Sequence, residues 1–197
     1  MQWTSIIPIT VVAAFFLFVT KEMLEWFKRA SADKRKIAAI KILLARECEL
    51  NKWTLLKLRQ AVTDIKDTFE EKDGIEYAIE RIGSDKIIFK EMLGEERRAS
   101  WPLPPTYTDA MGKQLLDTAI LDKRLFANLE GAYDAVLEMR HVRDSVIEYV
   151  ESRENVREMH LEAFSEYALD ELNDTEESLK TLYNACTGKP LDSIRLR

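Results

Sequence analysis

Histidine and cysteine, which often bind metals or act as catalytic bases and nucleophiles, are nearly missing: the chain has two of each in 197 residues. Cys48 and Cys186 lie far apart and form no Cys-x-x-Cys motif. The sequence therefore offers neither a disulfide framework nor a zinc knuckle. Two small core residues in a reducing compartment are the simpler interpretation of these cysteines.

Glycine and proline are also scarce, with six and five residues respectively. So few breaks favour long helices over a strand-and-turn architecture. The chain is 46% apolar and 32% charged, which excludes a disordered protein and leaves material for a sizeable core. We find no P-loop, no Gly-x-Gly-x-x-Gly, no Gly-x-Ser-x-Gly and no His-Glu-x-x-His. The sequence thus contains no familiar catalytic motif.

Charge is distributed unevenly along the chain. The net charge is -6, but residues 21–60 hold eleven Lys/Arg against five acids, which is +6 and leaves -12 for the rest. Residues 147–179 hold eleven acids against only Arg153 and Arg157. Two interpretations stay open: the basic and acidic helices neutralise each other inside the fold, or the acidic helix contacts a basic partner. Nucleic acid is not an expected partner, because an acidic surface repels phosphate.

The first part of the chain carries a long uncharged run, from Trp3 to Thr20. Its length is close to the minimum for crossing a bilayer, so we predict a single-pass transmembrane anchor over residues 1–28. A cleaved signal peptide fits less well, because no positive charge precedes the run. The basic residues that follow it predict an N-terminus outside and a body in the cytoplasm, at the inner membrane if the source is bacterial. The expected anchor side chains are Trp3, Phe15, Phe16 and Trp26.

A basic juxtamembrane segment is expected over residues 29–36. Such a segment is attracted to anionic headgroups, so the lipid bilayer is an expected partner. The predicted lipid-surface contacts are Lys28, Arg29, Lys34, Arg35 and Lys36.

Apolar positions at three- and four-residue steps predict long helices over about 33–72, 109–151 and 155–188. The predicted core stripe of the first helix is Ile37, Ile40, Leu44, Cys48, Leu55, Leu58, Val62, Ile65 and Phe69. Residues 75–82 are predicted as a shorter helical element with Ile75, Ala78, Ile79 and Ile82 on one face, and residues 85–94 as another, although the Ile-Ile-Phe centre of the latter could also form a strand. The proline-rich loop 100–108 is expected to run extended, with Thr108 capping the helix after it. The expected fold is therefore all-α: one N-terminal transmembrane helix, then a three- to four-helix bundle or coiled-coil-like body over 37–188, and a tail over 189–197.

Two short motifs carry alternative functions. Glu138 and His141 are spaced as half of a carboxylate-bridged di-metal site, but a second pair is missing because Arg157 stands where His160 would need a glutamate. The sequence therefore predicts no metal and no cofactor, and keeps a metal-dependent enzyme as the alternative. Residues 104–107, Pro-Pro-Thr-Tyr, match a short WW-domain ligand, although a loop between helices also explains these prolines.

The expected function is a membrane-anchored, non-enzymatic helical interaction or scaffolding protein, as a subunit or accessory of a membrane-associated complex. Its expected partners are the bilayer and either another protein or a second copy of itself. The predicted partner contacts are Glu162, Glu166 and Glu171 on the acidic helix. Besides the metal enzyme, a membrane-tethered sensor that binds a small ligand in its bundle remains an alternative.

Overall fold

A computed structural model describes residues 9–71, 74–83, 86–152 and 158–193. The chain divides into two compact units, Met1–Ala39 and Ile40–Arg197. Four α-helices, three strands and one short 3-10 helix (η1) follow in this order: α1 (Ile9–Glu71), β1 (Ile75–Ile82), β2 (Lys86–Leu93), β3 (Glu96–Pro102), α2 (Asp109–Leu121), α3 (Lys123–Glu151), α4 (Glu158–Thr187) and η1 (Leu191–Ser193). Helix α1 contributes residues to both units.

The first unit contains the beginning of α1, and the predicted anchor there is wrong. No helix in the described part of the chain is long and apolar enough to cross a membrane. Within the described part, α1 carries no charged residue from Ile9 to Thr20. Lys21 and Glu22 follow at once. The predicted single-pass topology and the localisation that depended on it are therefore wrong as well.

The second unit contains every described residue that is buried. In α1 the predicted stripe of apolar side chains is confirmed over about seven turns, from Ile40 to Ile65, and it forms one continuous core with residues of the sheet, α2, α3 and α4. The buried members of that stripe are Ile40, Leu44, Cys48, Leu55, Leu58, Val62 and Ile65. One face of each helix is therefore buried for the simple reason that apolar residues recur at helical spacing.

A three-stranded antiparallel sheet, in the order β1-β2-β3, makes the all-α prediction wrong. Residues 75–82 and 85–94 were expected to be helical, yet β1 and β2 pair along their whole length, from Ile75 opposite Leu93 to Ile82 opposite Lys86. Residues 84 and 85 lie outside the described part. The protein is mostly helical, but it is an α-and-β fold.

Tertiary packing explains why these segments form strands. Alternate residues of β1 and β2 point into the core, where β-branched and aromatic side chains fit a pleated surface. Tyr77, Phe89 and Trp101 lie on that face, one from each strand, with ring centroids 5.1 and 5.2 Å apart. Gly94, at φ 58°, sits in the turn between β2 and β3, a left-handed conformation that glycine adopts without strain.

A proline-rich connection, residues 103–108, follows β3 without regular secondary structure, and the first three residues of the predicted loop 100–108 belong to that strand. We call this connection the strap. The carboxylate of Glu47 in α1 accepts hydrogen bonds from the backbone N–H groups of Ala110 and Met111, at 2.9 and 2.6 Å. Glu47 therefore caps α2, and the predicted cap, Thr108, makes no side-chain capping bond.

The predicted single helix over 109–151 is interrupted at Asp122, which has extended backbone angles. Its carboxylate accepts hydrogen bonds from the N–H groups of Arg124 and Leu125, at 3.2 and 3.0 Å, and so starts α3 as a separate helix. Because α2 and α3 are distinct, the chain changes direction between them. Farther along, α4 ends before Gly188, and Lys52 of α1 donates a hydrogen bond to the carbonyl of Leu191 in η1 at 3.0 Å.

Candidate interaction surface

The outward side of α1 in the second unit carries apolar side chains that nothing in the described chain covers. They project away from the core stripe of the same helix, so α1 is apolar on two sides here. The exposed fractions are 71% for Ile42, 50% for Leu43, 36% for Leu50, 38% for Trp53 and 40% for Leu56. We call these five side chains the α1 row. Scattered exposed apolar residues are ordinary, but a contiguous row is typical of a contact surface.

Positive charge borders the α1 row. Lys57 Nζ lies 5.1 Å from the centroid of the Trp53 ring and donates a hydrogen bond to Gln60 Oε1 at 3.2 Å. Arg46 is exposed between Leu43 and Leu50, and it forms no ion pair with any described residue. An apolar centre with a polar rim is the usual anatomy of a protein–protein interface. The α1 row therefore has the composition of a docking surface.

The three glutamates predicted to contact a partner belong to α4. The structure describes the side chains of only two of them. Glu166 is exposed and Glu171 half-buried, whereas the side chain of Glu162 lies outside the described residues. Neither Glu166 nor Glu171 forms an ion pair within the described chain. The hydroxyl of Tyr167, between them in sequence, donates a 3.4 Å hydrogen bond to Glu138 of α3. Contact of a basic partner with Glu162, Glu166 and Glu171 stays a prediction.

Basic residues of α1 pair with acidic residues of α4 and of η1. Arg59 Nη2 lies 2.7 Å from Glu176 Oε2, and Lys52 Nζ lies 3.3 Å from Asp192 Oδ1. Partial burial alone would raise the pKa of Glu176, but hydrogen bonds from Lys180 and Arg59 outweigh it and hold that pKa below its usual value. Neutralisation within the fold therefore holds for Glu176 and Asp192, whereas contact of the rest of α4 with a basic partner stays a prediction.

Glu138 and His141, the candidate metal ligands, are both exposed on α3. In the part of the chain that the structure describes, no group of three or more His, Cys, Asp or Glu side chains is arranged to hold a metal ion. The side chain of His160 lies outside that part. Among the described residues, no third ligand therefore lies beside Glu138 and His141. A metal site at this pair would need a ligand from outside those residues.

The strap accounts for the Pro-Pro-Thr-Tyr sequence without a partner. Thr54 donates a hydrogen bond to the carbonyl of Pro105 at 2.7 Å, and Asn51 bonds both backbone groups of Tyr107. From α3, Arg143 donates to the carbonyl of Pro104 at 2.8 Å. A WW-domain ligand must offer a free extended backbone, whereas this one is bonded within the fold.

The residues predicted to contact a membrane lie on exposed parts of α1. Phe15, Phe16 and Trp26 each expose 64% of their surface, and Trp3 lies outside the described residues. Arg29 forms an ion pair with Glu25 at 3.4 Å. Lys28, Lys34, Arg35 and Lys36 are exposed as well. With the anchor prediction wrong, these aromatic side chains have no assigned role, and contact of the five basic ones with lipid stays a prediction.

Sequence reasoning missed the α1 row because it followed only the core stripe. A detectable signal was present: Leu43 and Leu50 are seven residues apart, and Leu50, Trp53 and Leu56 follow at steps of three. These spacings define a second apolar face on one helix. Two apolar faces on one helix indicate two sets of neighbours, only one of which is in the core described here.

Comparison of the chain with protein-family models, with curated proteins and with solved structures found no match. The functional argument below therefore uses the geometry and charge of this chain alone.

Proposed function

We propose that this chain is a non-enzymatic interaction protein that self-associates, and that the α1 row is the surface through which two copies pair. The observation that carries the proposal is the exposure of Ile42, Leu43, Leu50, Trp53 and Leu56 on one side of a well-packed helix. Burying such side chains removes apolar area from water, which is the dominant driving force of protein association.

The exposed area is sufficient for a small dimer. From their exposed fractions, the five side chains present about 500 Å² of apolar surface per copy. Two copies would bury about 1,000 Å², which is the lower end for a specific interface. The expected association is therefore reversible, with a dissociation constant in the micromolar range.

An antiparallel arrangement fits the charges on the α1 row. With a two-fold axis at Leu50, Arg46 of one copy lies beside Trp53 of the other, because the two residues are four and three positions from the axis. A cation over an indole ring is a favourable contact. A parallel pair would instead place Arg46 against Arg46 and Lys57 against Lys57, and like charges repel.

Sedimentation of the full chain over about 1 to 100 µM tests the proposal. We expect a monomer–dimer equilibrium that Leu50→Glu and Trp53→Glu shift to monomer. Leu116→Glu is the matched control, because Leu116 is 73% exposed on α2 and lies outside the row. A monomer at all concentrations contradicts the proposal. So does an oligomer that survives both row variants, since another surface, such as the exposed apolar residues between Val11 and Phe27, would then be responsible.

Cysteine cross-linking tests the orientation of the two copies. Leu50→Cys places two thiols at the two-fold axis and is expected to form a disulfide-linked dimer under mild oxidation. Leu43→Cys is expected to form none, because antiparallel pairing separates the two thiols by about fourteen residues of helix, roughly 20 Å. Efficient cross-linking at position 43 would show a parallel pair.

Metal analysis separates this proposal from the enzymatic alternative. Protein purified without a chelator is expected to contain no stoichiometric iron, manganese or zinc. A stoichiometric metal that disappears in His141→Ala would replace the interaction proposal with a metal-dependent enzyme built around Glu138 and His141.

A further inference from the structure

A polar cleft of about 530 Å³ opens where α1, the beginning of α3 and the end of α4 meet, all within the second unit. Its volume lies within the range of about 300 to 1,000 Å³ that small-molecule sites occupy. The lining consists of Lys41 from α1, then Asp122, Arg124, Leu125 and Asn128, then Thr181, Asn184 and Ala185 from α4.

Most polar side chains of the cleft have no partner within the described chain. Asp122 is the exception, since its carboxylate already accepts from two N–H groups of α3. The side chains of Lys41, Arg124, Asn128, Thr181 and Asn184 form neither a hydrogen bond nor an ion pair with any described residue. Five unpartnered polar side chains from three helices therefore converge on one cavity.

The electrostatics of the cleft favour an anion. Two cations, Lys41 and Arg124, face one carboxylate, so the lining carries a net charge of +1 in a chain whose net charge is -6. The first N–H groups of α3 add little to this charge, because the Asp122 carboxylate already accepts hydrogen bonds from Arg124 and Leu125.

We infer that this cleft binds a small organic anion, one that carries a phosphate or carboxylate group together with hydroxyl groups. Arg124 supplies a planar fork of donors for the oxygens of the anionic group, and Lys41 supplies a second positive charge. Asn128, Thr181 and Asn184 both donate and accept hydrogen bonds, so they suit the polar remainder of the ligand. None of the lining residues belongs to the α1 row, so binding does not require self-association.

Calorimetric titration of the full chain tests the inference, with glycerol 3-phosphate and pyrophosphate as phosphate probes and citrate as a carboxylate probe. We expect saturable binding of at least one probe. Binding of a phosphate probe or of citrate then shows whether the cleft prefers a phosphate or a carboxylate group. Lys41→Ala and Arg124→Ala are each expected to weaken that binding about tenfold or more, because each removes a charge-assisted contact.

Lys113→Ala is the matched control. Lys113 is an exposed lysine on α2 outside the cleft, so its removal changes the net charge equally and should leave the affinity within about twofold. Asn184→Ala, which leaves the charge unchanged, is expected to weaken binding as well. The inference is overturned if no probe binds at millimolar concentration, or if Lys113→Ala weakens binding as much as Arg124→Ala does.

Discussion

Asn51 bonds both backbone groups of Tyr107: its Oδ1 accepts from the N–H at 2.8 Å, and its Nδ2 donates to the carbonyl at 2.6 Å. One buried side chain of α1 thus satisfies both polar groups of a residue in the strap. Glu47 and Thr54 lie one helical turn to either side and bond the strap or the start of α2 in the same way. Because the three are spaced by four and three residues, they form a polar row next to the core stripe.

Replacing Asn51 should therefore be costly. Asn51→Leu leaves the part-buried N–H and carbonyl of Tyr107 without their protein partners, and we expect a loss of about 2 kcal/mol in the free energy of unfolding. Urea denaturation followed by circular dichroism measures it. Gln60→Leu, an exposed polar position on the same helix, is the control and should change stability by less than about 0.5 kcal/mol. Equal effects of the two substitutions would contradict the role given to Asn51.

Loss of charge should destabilise the chain at one glutamate of α4 and have no effect at another. Glu176→Gln removes the partly buried ion pairs with Arg59 and Lys180, and we expect a loss of about 1 kcal/mol at low salt. Glu166→Gln should cost nothing, because Glu166 forms no ion pair within the described chain. The low pKa of Glu176 contributes stability at neutral pH that is lost as the pH falls through that pKa. Denaturation of both variants at about pH 7 and pH 3 tests the contrast.

Asp64 should make the fold less stable as the pH rises. Burial, with the nearby carboxylates of Glu91 and Asp67, raises the pKa of Asp64 to about 6. The folded chain therefore holds this proton more tightly than the unfolded chain, and stability falls between about pH 4 and pH 6. Asp64→Asn should abolish this fall and melt at a higher temperature than the native chain at pH 7. Asp174→Asn, at an exposed position, is the control, and an unchanged pH profile in Asp64→Asn would contradict the prediction.

The native thiols should react slowly with maleimide. Burial raises the pKa of Cys186 to about 11, and burial together with the Cys186 thiol and the Glu47 carboxylate raises the pKa of Cys48 further. The reactive thiolate is therefore rare at neutral pH. Ser152→Cys, at an exposed position, should be labelled rapidly in the same reaction, and both native cysteines should react once the chain is denatured. Rapid labelling of the folded native chain would contradict the burial of these residues.

The core stripes of α1, α3 and α4 were predictable because one periodicity decided them. Leu44, Leu58 and Val62 were placed on the buried face by spacing alone, and they are buried. The sheet was missed for the opposite reason. Ile75, Tyr77 and Ile79 alternate along β1, but the short helical reading counted Ile75, Ala78, Ile79 and Ile82 on one face instead. Over eight residues the 3.6-residue period of a helix cannot be told from the two-residue period of a strand. Packing against the core then decides which of the two structures forms.

A stronger sequence signal for the sheet was the glycines at the ends of its strands. Gly74, Gly83 and Gly94 precede or follow the first two strands, and all three have positive φ. Glycine at intervals of about ten residues is typical of successive hairpins. The candidate sites could be predicted less well, because the α1 row and the polar cleft are properties of surfaces. Lys41, Arg124 and Asn184 are far apart in sequence, and nothing in their local pattern brings them together.

The strap adds polar bonds to the core that the sheet and the helices of the second unit already share. It is bonded by Asn51 and Thr54 on one side and by Arg143 on the other, and it links the sheet to α2. The sheet cannot leave α1 without also uncapping α2, since Glu47 bonds the first N–H groups of that helix. We therefore expect strands and helices to unfold as one cooperative unit, and the amide protons of Tyr107, Ala110 and Met111 to be among the slowest to exchange with solvent.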